Sequence, residues 1–251
     1  PDTKKRMATS YSHCLSNANK ALENIGSKSL SSLDEIFRSH HTIFCEKPDF
    51  DVYGNRPEHR YIDAISDASL GSPPQWPNES AIKIFAYLKP KFEHLDILLE
   101  RLSKLAASIC AFVPQLSETQ RKKFSSRSLF LTDKPLQLSR VVEECTHAIC
   151  HGGTGTVNVC IDAGIPVFCI PLTVEQMMFS KRVEQHQLGH VFPLQGNSTL
   201  LKNMLKDFIA DQEIQSATKK WASERETPPM ADRVALACDL IEAALDGETR
   251  G

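Results

Sequence analysis

The sequence has little that indicates a membrane, a secreted protein or nucleic acid. No run of apolar residues approaches the roughly 20 that a membrane-spanning helix needs, so we expect no transmembrane segment. The polar, basic start at Pro1 lacks the apolar stretch of a signal peptide and resembles a truncated or processed end, so we expect further sequence upstream. A formal net charge of only −2 gives no indication that nucleic acid is a partner.

Paired cysteines are also missing, because none of the eight cysteines forms a C-x-x-C pair. Several lie inside apolar runs such as residues 108–113 and 167–170, which is typical of buried free thiols in a reducing cytoplasm. A zinc site or a disulfide framework is the alternative. His40 and His41 have no carboxylate or cysteine at ligand spacing, so we expect no metal site.

Glycine is scarce and unevenly placed. The chain has 11 glycines, where average usage would give about 18. Three of them fall at Gly152, Gly153 and Gly155. Prolines and two other glycines are concentrated in residues 41–80, which we expect to be irregular or linker-like.

From residue 81 onward, short apolar runs alternate with helical patterns. This alternation predicts an α/β domain, a Rossmann-like parallel sheet with helices on both faces, preceded by a partial helical segment over about residues 1–40. We expect residues 1–80 to be a remnant of another domain plus a linker, and residues 81–251 to be the sheet domain. The predicted strands are 81–88, 108–113, 129–131, 146–150, 166–170 and 191–192. The predicted helices include 138–145, 174–188 (ended by Gly189), 199–210 and 231–245, with a capping box at Ser117.

The glycines at 152–155 belong to a turn where the fourth strand meets a helix. In an open parallel sheet, ligands bind at the carboxyl ends of strands, and a helix N-terminus there offers free backbone N–H groups to an anion. A tight turn without a ligand is the alternative. No Gly-Lys-Ser/Thr follows, and Asn158 takes the place of the third glycine of the dinucleotide fingerprint. The predicted phosphate-binding residues are His151, Gly152, Gly153, Thr154, Gly155 and Thr156.

Residues 147–166 (HAICHGGTGTVNVCIDAGIP) and 170–176 (IPLTVEQ) resemble the donor-binding signature of UDP-glucuronosyltransferase-like glycosyltransferases. The resemblance extends over about residues 81–246 and is closest to antibiotic- and sterol-type members. It implies the C-terminal, donor-binding half of a GT-B fold. It also implies that His151 and the 152–156 backbone hold a diphosphate, that Glu175 and Gln176 bind sugar hydroxyls, and that the loop at Leu136 receives the nucleotide base. An ordinary helix start is the alternative for Glu175 and Gln176.

Three positions depart from the family pattern. Many members carry a ribose-binding glutamate eight residues after the histidine, where this chain has Val159. Phe179 replaces an asparagine that often follows the glutamine, and no tryptophan precedes Pro135. The ribose contacts are therefore less certain than the fold.

The resemblance implies a metal-independent glycosyltransferase that transfers a hexosyl group from a UDP- or dTDP-sugar to an acceptor hydroxyl, with no other cofactor. Its partners are the nucleotide-sugar donor and an acceptor-binding domain or subunit, which would supply the general base. We assign no catalytic residue in this chain. The alternatives are one subunit of a split glycosyltransferase, a non-catalytic nucleotide-sugar binding module, and a sugar-nucleotide epimerase.

Overall fold

The computed structural model describes residues 2–37, 42–54, 56 and 60–248. The chain divides into two compact units, Pro1–Thr42 and Ile43–Gly251. His40 and His41 lie outside the described residues. The assignment of residues 1–80 to a domain remnant and linker stays a prediction, although residues 43–80 group with the sheet domain.

The first unit contains the helix α1 (Asp2–Asn24) and a 3-10 helix (Leu33–Phe37). The side chain of Asn19 fastens the segment that follows α1, because its amide group bonds both the carbonyl (3.0 Å) and the N–H (2.7 Å) of Leu30. The helical start predicted from the sequence is therefore confirmed within the described residues.

The second unit is built on a six-stranded parallel sheet with the order β5-β4-β3-β6-β7-β8. A separate pair of two-residue strands, β1 and β2, precedes it. The strands are β1 (Ile43–Phe44), β2 (Arg60–Tyr61), β3 (Lys83–Tyr87), β4 (Ser108–Phe112), β5 (Leu129–Thr132), β6 (His147–Cys150), β7 (Val167–Cys169) and β8 (Gly189–Val191). The helices of this unit are α2 (Leu95–Ser103), α3 (Glu118–Phe124), α4 (Leu138–Glu144), α5 (Thr154–Asp162), α6 (Val174–Gln185), α7 (Ser198–Ala210), α8 (Gln212–Ser223) and α9 (Met230–Glu248).

Helices cover both faces of the sheet. Successive residues of β3 point to opposite faces, so that Ile84 packs with α2, α3 and α7, while Phe85 packs with α4, α5, α6 and α8. Both faces are buried, which explains why the sheet strands have continuous rather than alternating apolar sequence. The predicted α/β fold and all six predicted strands of the sheet are confirmed.

Two helix predictions need correction. The helix α6 ends at Gln185 and not at 188, and Gln187 occupies the left-handed position with φ 58°. Gly189 does not end this helix: it starts β8, where a side chain would overlap the carbonyl of Val167 on the neighbouring strand. The sequence analysis also missed α8, which begins where the side chain of Asp211 caps the N–H of Ile214.

Candidate functional site

The two central strands of the sheet, β3 and β6, run side by side, and the helices that follow them pack on opposite faces. Their carboxyl ends therefore form a switch point, the place where open α/β sheets bind ligands. The residues just beyond β3 and the turn at 151–153 meet at this crevice, since Lys89 and His151 line one small cavity.

The turn at 151–153 is shaped to let a ligand approach the backbone. Gly152 has a φ of +77°, and a β-carbon there would overlap the Ser180 hydroxyl. Gly153 is extended and begins α5 without any side-chain cap. The first backbone N–H groups of α5, which include those of Thr154, Gly155 and Thr156, are therefore left for a ligand at the positive end of the helix dipole.

His151 lies directly over this turn. A β-carbon on Gly153 would be 3.1 Å from its Nε2 atom, and the ring stands edge-on to Tyr87 with centroids 4.7 Å apart. Burial, assisted by the positive charge of Lys89, lowers the pKa of His151 to about 4. The imidazole is therefore neutral near pH 7. In this state His151 can offer a hydrogen bond to an anion but no positive charge.

Glu175 and Thr154 line one cavity of about 220 Å³, so residues assigned to the sugar and to the diphosphate lie next to each other. Glu175 is exposed in the first turn of α6. Phe179 of α6 is one of five aromatic residues that line the described part of this cavity, and the other four come from the segment before the sheet, which the sequence predicts to be irregular or linker-like. These four are Phe44, Phe50, Tyr53 and Tyr61.

Gln176 connects the two loops of the site. Its side-chain oxygen accepts a hydrogen bond from the Leu172 N–H at 2.9 Å, and its backbone carbonyl lies against Gly152. Thr173 caps the start of α6 by accepting from the Gln176 N–H. The amide oxygen of Gln176 is thus occupied within the protein, and the amide NH₂ is the part of this side chain that can face a ligand.

Leu136 lies in the loop after β5, but its side chain is buried in the core. Residue Ser72 fixes the loop, since its N–H donates to the Pro135 carbonyl and its carbonyl accepts from the Gln137 N–H. Gly71 has a left-handed conformation (φ +113°) and packs so closely on the same backbone that a β-carbon would overlap it. A base in this loop would therefore meet the backbone at Leu136, not its side chain.

Several neighbours of the turn were not found from the sequence. Ser66 lies against Gly155. Asn158 donates to the Thr154 carbonyl (3.0 Å) and to the Glu46 carboxylate (2.9 Å), and burial raises the pKa of Glu46. Lys89 directly follows the first predicted strand, and its position at a strand end was the signal that could have identified it.

The described residues contain no cluster of three or more histidine, cysteine, aspartate or glutamate side chains placed to hold a metal ion. Among these same residues, no helix combines the length and the apolar character needed to cross a bilayer.

Part of the chain is similar in sequence to known glycosyltransferases. Residues 144–231 match the family model of UDP-glucoronosyl and UDP-glucosyl transferases. Over 77 residues, 31% of this chain, the sequence is 29% identical to UDP-sugar-dependent glycosyltransferase 52 of Dictyostelium discoideum, of which it covers 4%. It is 25% identical to the zeaxanthin glucosyltransferase of Pseudescherichia vulneris over 177 residues, 67% of this chain and 41% of that protein. The chain thus spans less than half of these two relatives.

Solved structures share the fold. The glycosyltransferase of kitacinnamycin superposes with a TM-score of 0.67 at 14% identity, covering 97% of this chain and 67% of that one. The calicheamicin glycosyltransferase CalG4 gives 0.66 at 18% identity, with coverages of 92% and 58%. Glycosyltransferase VinC, solved in complex with DTDP, gives 0.57 at 19% identity, with coverages of 72% and 46%. The chain therefore shares the fold of these glycosyltransferases, and its sequence similarity to the UDP-glucoronosyl and UDP-glucosyl transferase family extends over residues 144–231.

Proposed function

We propose that this chain is the donor-binding half of a glycosyltransferase that transfers a hexosyl group from a UDP- or dTDP-sugar to an acceptor hydroxyl. The observation that carries the proposal is the uncapped glycine turn of α5 at the switch point of the sheet, with His151 above it. Such a helix start suits a diphosphate. The complex of VinC with DTDP and that of the rhamnosyltransferase SpnG with thymidine diphosphate support a nucleotide ligand.

The diphosphate would lie on the backbone of Gly152 to Thr156, with His151 donating one hydrogen bond to a phosphate oxygen. The leaving diphosphate gains negative charge as the anomeric C–O bond breaks, and fixed N–H groups aimed at it stabilise that charge. This arrangement is the reason to propose a metal-independent reaction that uses no cofactor apart from the donor.

The sugar would lie at the start of α6. Glu175 can accept hydrogen bonds from sugar hydroxyls, and the free NH₂ of Gln176 can donate to them. Glu175 shares its cavity with Thr154 of the glycine turn, and this supports a sugar position beside the proposed diphosphate site. The nucleotide base would pack on the backbone of the loop at Leu136.

The acceptor and its general base would come from an acceptor-binding domain or subunit. This proposal rests on the lengths of the similar structures, since the chain spans 58% of CalG4 and 46% of VinC. We assign no catalytic base in this chain. The alternative of a non-catalytic binding module would need the same donor site but no transfer.

We propose the cytoplasm as the location. All eight cysteines are free, and five of them are buried. Free buried thiols suit a reducing compartment. The buried cysteines are Cys110, Cys145, Cys150, Cys160 and Cys169.

Isothermal titration calorimetry with UDP and dTDP tests the site. We expect the wild-type chain to bind one of them and His151→Ala to weaken binding by about tenfold, since one hydrogen bond to a charged group is lost. His186→Ala is the matched control, because it removes a histidine at the opposite end of α6. No binding of either nucleotide at millimolar concentration would contradict the proposed function.

A transfer assay tests the proposal that this chain binds the donor but needs an acceptor-binding domain or subunit for catalysis. The chain alone should bind the donor and transfer sugar to no simple alcohol, because the acceptor pocket and base lie elsewhere. Robust turnover by the purified chain would show that it is a whole catalytic unit, and addition of a candidate acceptor domain should restore turnover if the proposal is correct.

A further inference from the structure

The glycine turn carries less positive charge than is needed to balance a nucleoside diphosphate. A nucleoside diphosphate brings at least two negative charges, whereas a helix N-terminus supplies about half of an elementary charge. His151 adds none near neutral pH, because burial keeps its pKa at about 4. A cationic side chain at the switch point would supply the missing charge, and Lys89 is in that position.

Lys89 is held in place by its own loop. The Phe92 N–H donates to the Lys89 carbonyl at 3.1 Å, which closes a tight turn with Pro90 at its second position. The buried ring of Phe92 anchors this turn in the core. The backbone of Lys89 is therefore fixed at the end of β3, and a ligand that contacts this residue would need to order only its side chain.

The side chain of Lys89 is directed toward the site by Tyr87. Its Nζ atom donates to the Tyr87 hydroxyl and lies 4.4 Å from the centre of the Tyr87 ring. The same ring packs edge-on against His151 with centroids 4.7 Å apart. Lys89 and His151 also line a common small cavity together with Leu172. The ammonium group and the imidazole thus both contact the ring of one tyrosine.

No carboxylate among the described residues forms an ion pair with Lys89. Its partners are a phenol oxygen and an aromatic face, which stabilise a cation only weakly. Lys89 also lines the same small cavity as His151, which lies in the turn at the positive end of α5. Two sources of positive potential held side by side without an anion form a site that an anionic ligand would stabilise.

We propose that Lys89 binds the diphosphate of the donor and makes the site selective for nucleoside diphosphates over monophosphates and nucleosides. This inference rests on the proposed function and adds to it a residue outside the glycine turn. The half-buried Lys89 and the exposed Lys91, two residues away in the same loop, form a natural pair for testing it.

The experiment is isothermal titration of UDP, UMP and uridine into the wild-type chain, Lys89→Met and the control Lys91→Met. We expect Lys89→Met to weaken UDP binding by about ten- to a hundredfold, UMP binding by less and uridine binding not at all, since one charge-assisted hydrogen bond is lost. Lys91→Met should stay within about twofold of the wild type, because exposed charges are screened. Lys89→Arg, which keeps the charge, should retain most of the affinity.

A second measurement does not need the nucleotide. Lys89→Met should raise the pKa of His151 in an NMR titration, because the positive charge of Lys89 lowers it in the wild type. An unchanged pKa would show that the two groups are not neighbours and would overturn the inference.

The remaining outcomes separate the two proposals. If the wild type binds UDP and Lys89→Met binds it as Lys91→Met does, the role of Lys89 is overturned while the proposed function stands. If the wild type binds neither UDP nor dTDP, both are overturned.

Discussion

Gly152 combines two constraints at one α-carbon: a left-handed backbone and the Ser180 hydroxyl directly behind it. That hydroxyl is buried and has no hydrogen-bond partner among the described residues. A methyl group at this position would therefore meet both conformational strain and a steric overlap, and the overlap would push the turn out of its present shape.

We expect Gly152→Ala to lower the free energy of unfolding by more than the roughly 1–2 kcal/mol of left-handed strain alone and to abolish nucleotide binding. Gly54→Ala is the control for strain, since Gly54 has a φ of +91° and open space around it. Gly152→Ala should lose more stability than Gly54→Ala, and the double variant with Ser180→Ala and Gly152→Ala should recover this additional loss in the free energy of unfolding. Urea unfolding of the three variants measures this, and equal losses in Gly152→Ala and Gly54→Ala would contradict the steric argument.

Variants of Gln176 can test whether this residue binds the sugar of the donor or only supports the diphosphate site. In Gln176→Glu the acceptor that holds the Leu172 N–H is kept while the donated hydrogen bond is lost. The added negative charge should weaken the binding of UDP and of UDP-sugar alike, and UDP-sugar binding should weaken by about a further fivefold, because one neutral hydrogen bond contributes about 1 kcal/mol. Gln176→Ala removes both functions and should weaken both ligands. If Gln176→Glu affects UDP and UDP-sugar equally, Gln176 does not contact the sugar.

Among the elements, α6 ends in an unusual way. The Leu188 N–H donates to the Val183 carbonyl and the Gln187 N–H to the Glu184 carbonyl, the two bonds of a Schellman motif, but the left-handed residue is Gln187 instead of the usual glycine. The helix α5 closes with the same pair of bonds around Gly164, which has a φ of +74°.

Gln187→Gly should therefore raise the free energy of unfolding by about 0.5–1 kcal/mol, because it removes left-handed strain from a side chain. Gln185→Gly, in the last helical turn, should lower it by about 1 kcal/mol. Chemical denaturation of both variants checks the pair, and a loss of stability in Gln187→Gly would show that the Gln187 side chain makes a contact that outweighs the strain.

The sequence predicts the six sheet strands because each is a short apolar run buried on both faces, as Ile84 and Phe85 show. It does not predict α8, since only Ile214, Thr218 and Trp221 of that helix are buried and, apart from two alanines, the remaining positions are polar. The end of α6 is misplaced because glycine at 189 serves close strand pairing, which depends on Val167 from elsewhere in the chain.

The candidate site, like the fold, has parts that the sequence predicts and parts that it does not. The glycine turn is local and could be predicted, and so could the capping box at Ser117, which is confirmed. Ser66 and Glu46 reach the turn through tertiary contacts that no spacing encodes, whereas the position of Lys89 directly after a predicted strand is a signal in the sequence. The binding roles of His151, Glu175, Gln176 and Leu136 stay predictions.

For the molecule as a whole, buried histidines link stability to pH. Burial lowers the pKa of His147 to about 4, and that of His151 likewise. The unfolded chain binds these protons near pH 6.5, so the unfolded state holds more protons between about pH 6.5 and 4. The stability from the neutral rings is fully present above pH 6.5 and falls on acidification. Glu46 and Asp162, whose pKa values burial raises, act in the opposite direction.

We expect the free energy of unfolding to fall between pH 7 and pH 5 by about 2 kcal/mol more in the wild type than in His147→Gln. His147 is chosen because it is 2% exposed and lies away from the turn, packed on Phe208. His13→Gln changes an exposed histidine and should keep the wild-type slope. Urea unfolding at several pH values measures the slopes, and equal slopes in wild type and His147→Gln would contradict the buried neutral ring.

Because of the order of the strands, the candidate site is complete only when the sheet has folded. Lys89 follows β3 and His151 follows β6, and between them in the chain lie β4, β5 and their helices. A form of the chain in which β6 has not yet paired with β3 has the glycine turn but not the lysine beside it. A diphosphate that needs both groups would bind only after this long crossover has closed, and by mass action it would draw the population toward the closed topology. The donor would in this way favour the correctly threaded chain over partly paired forms.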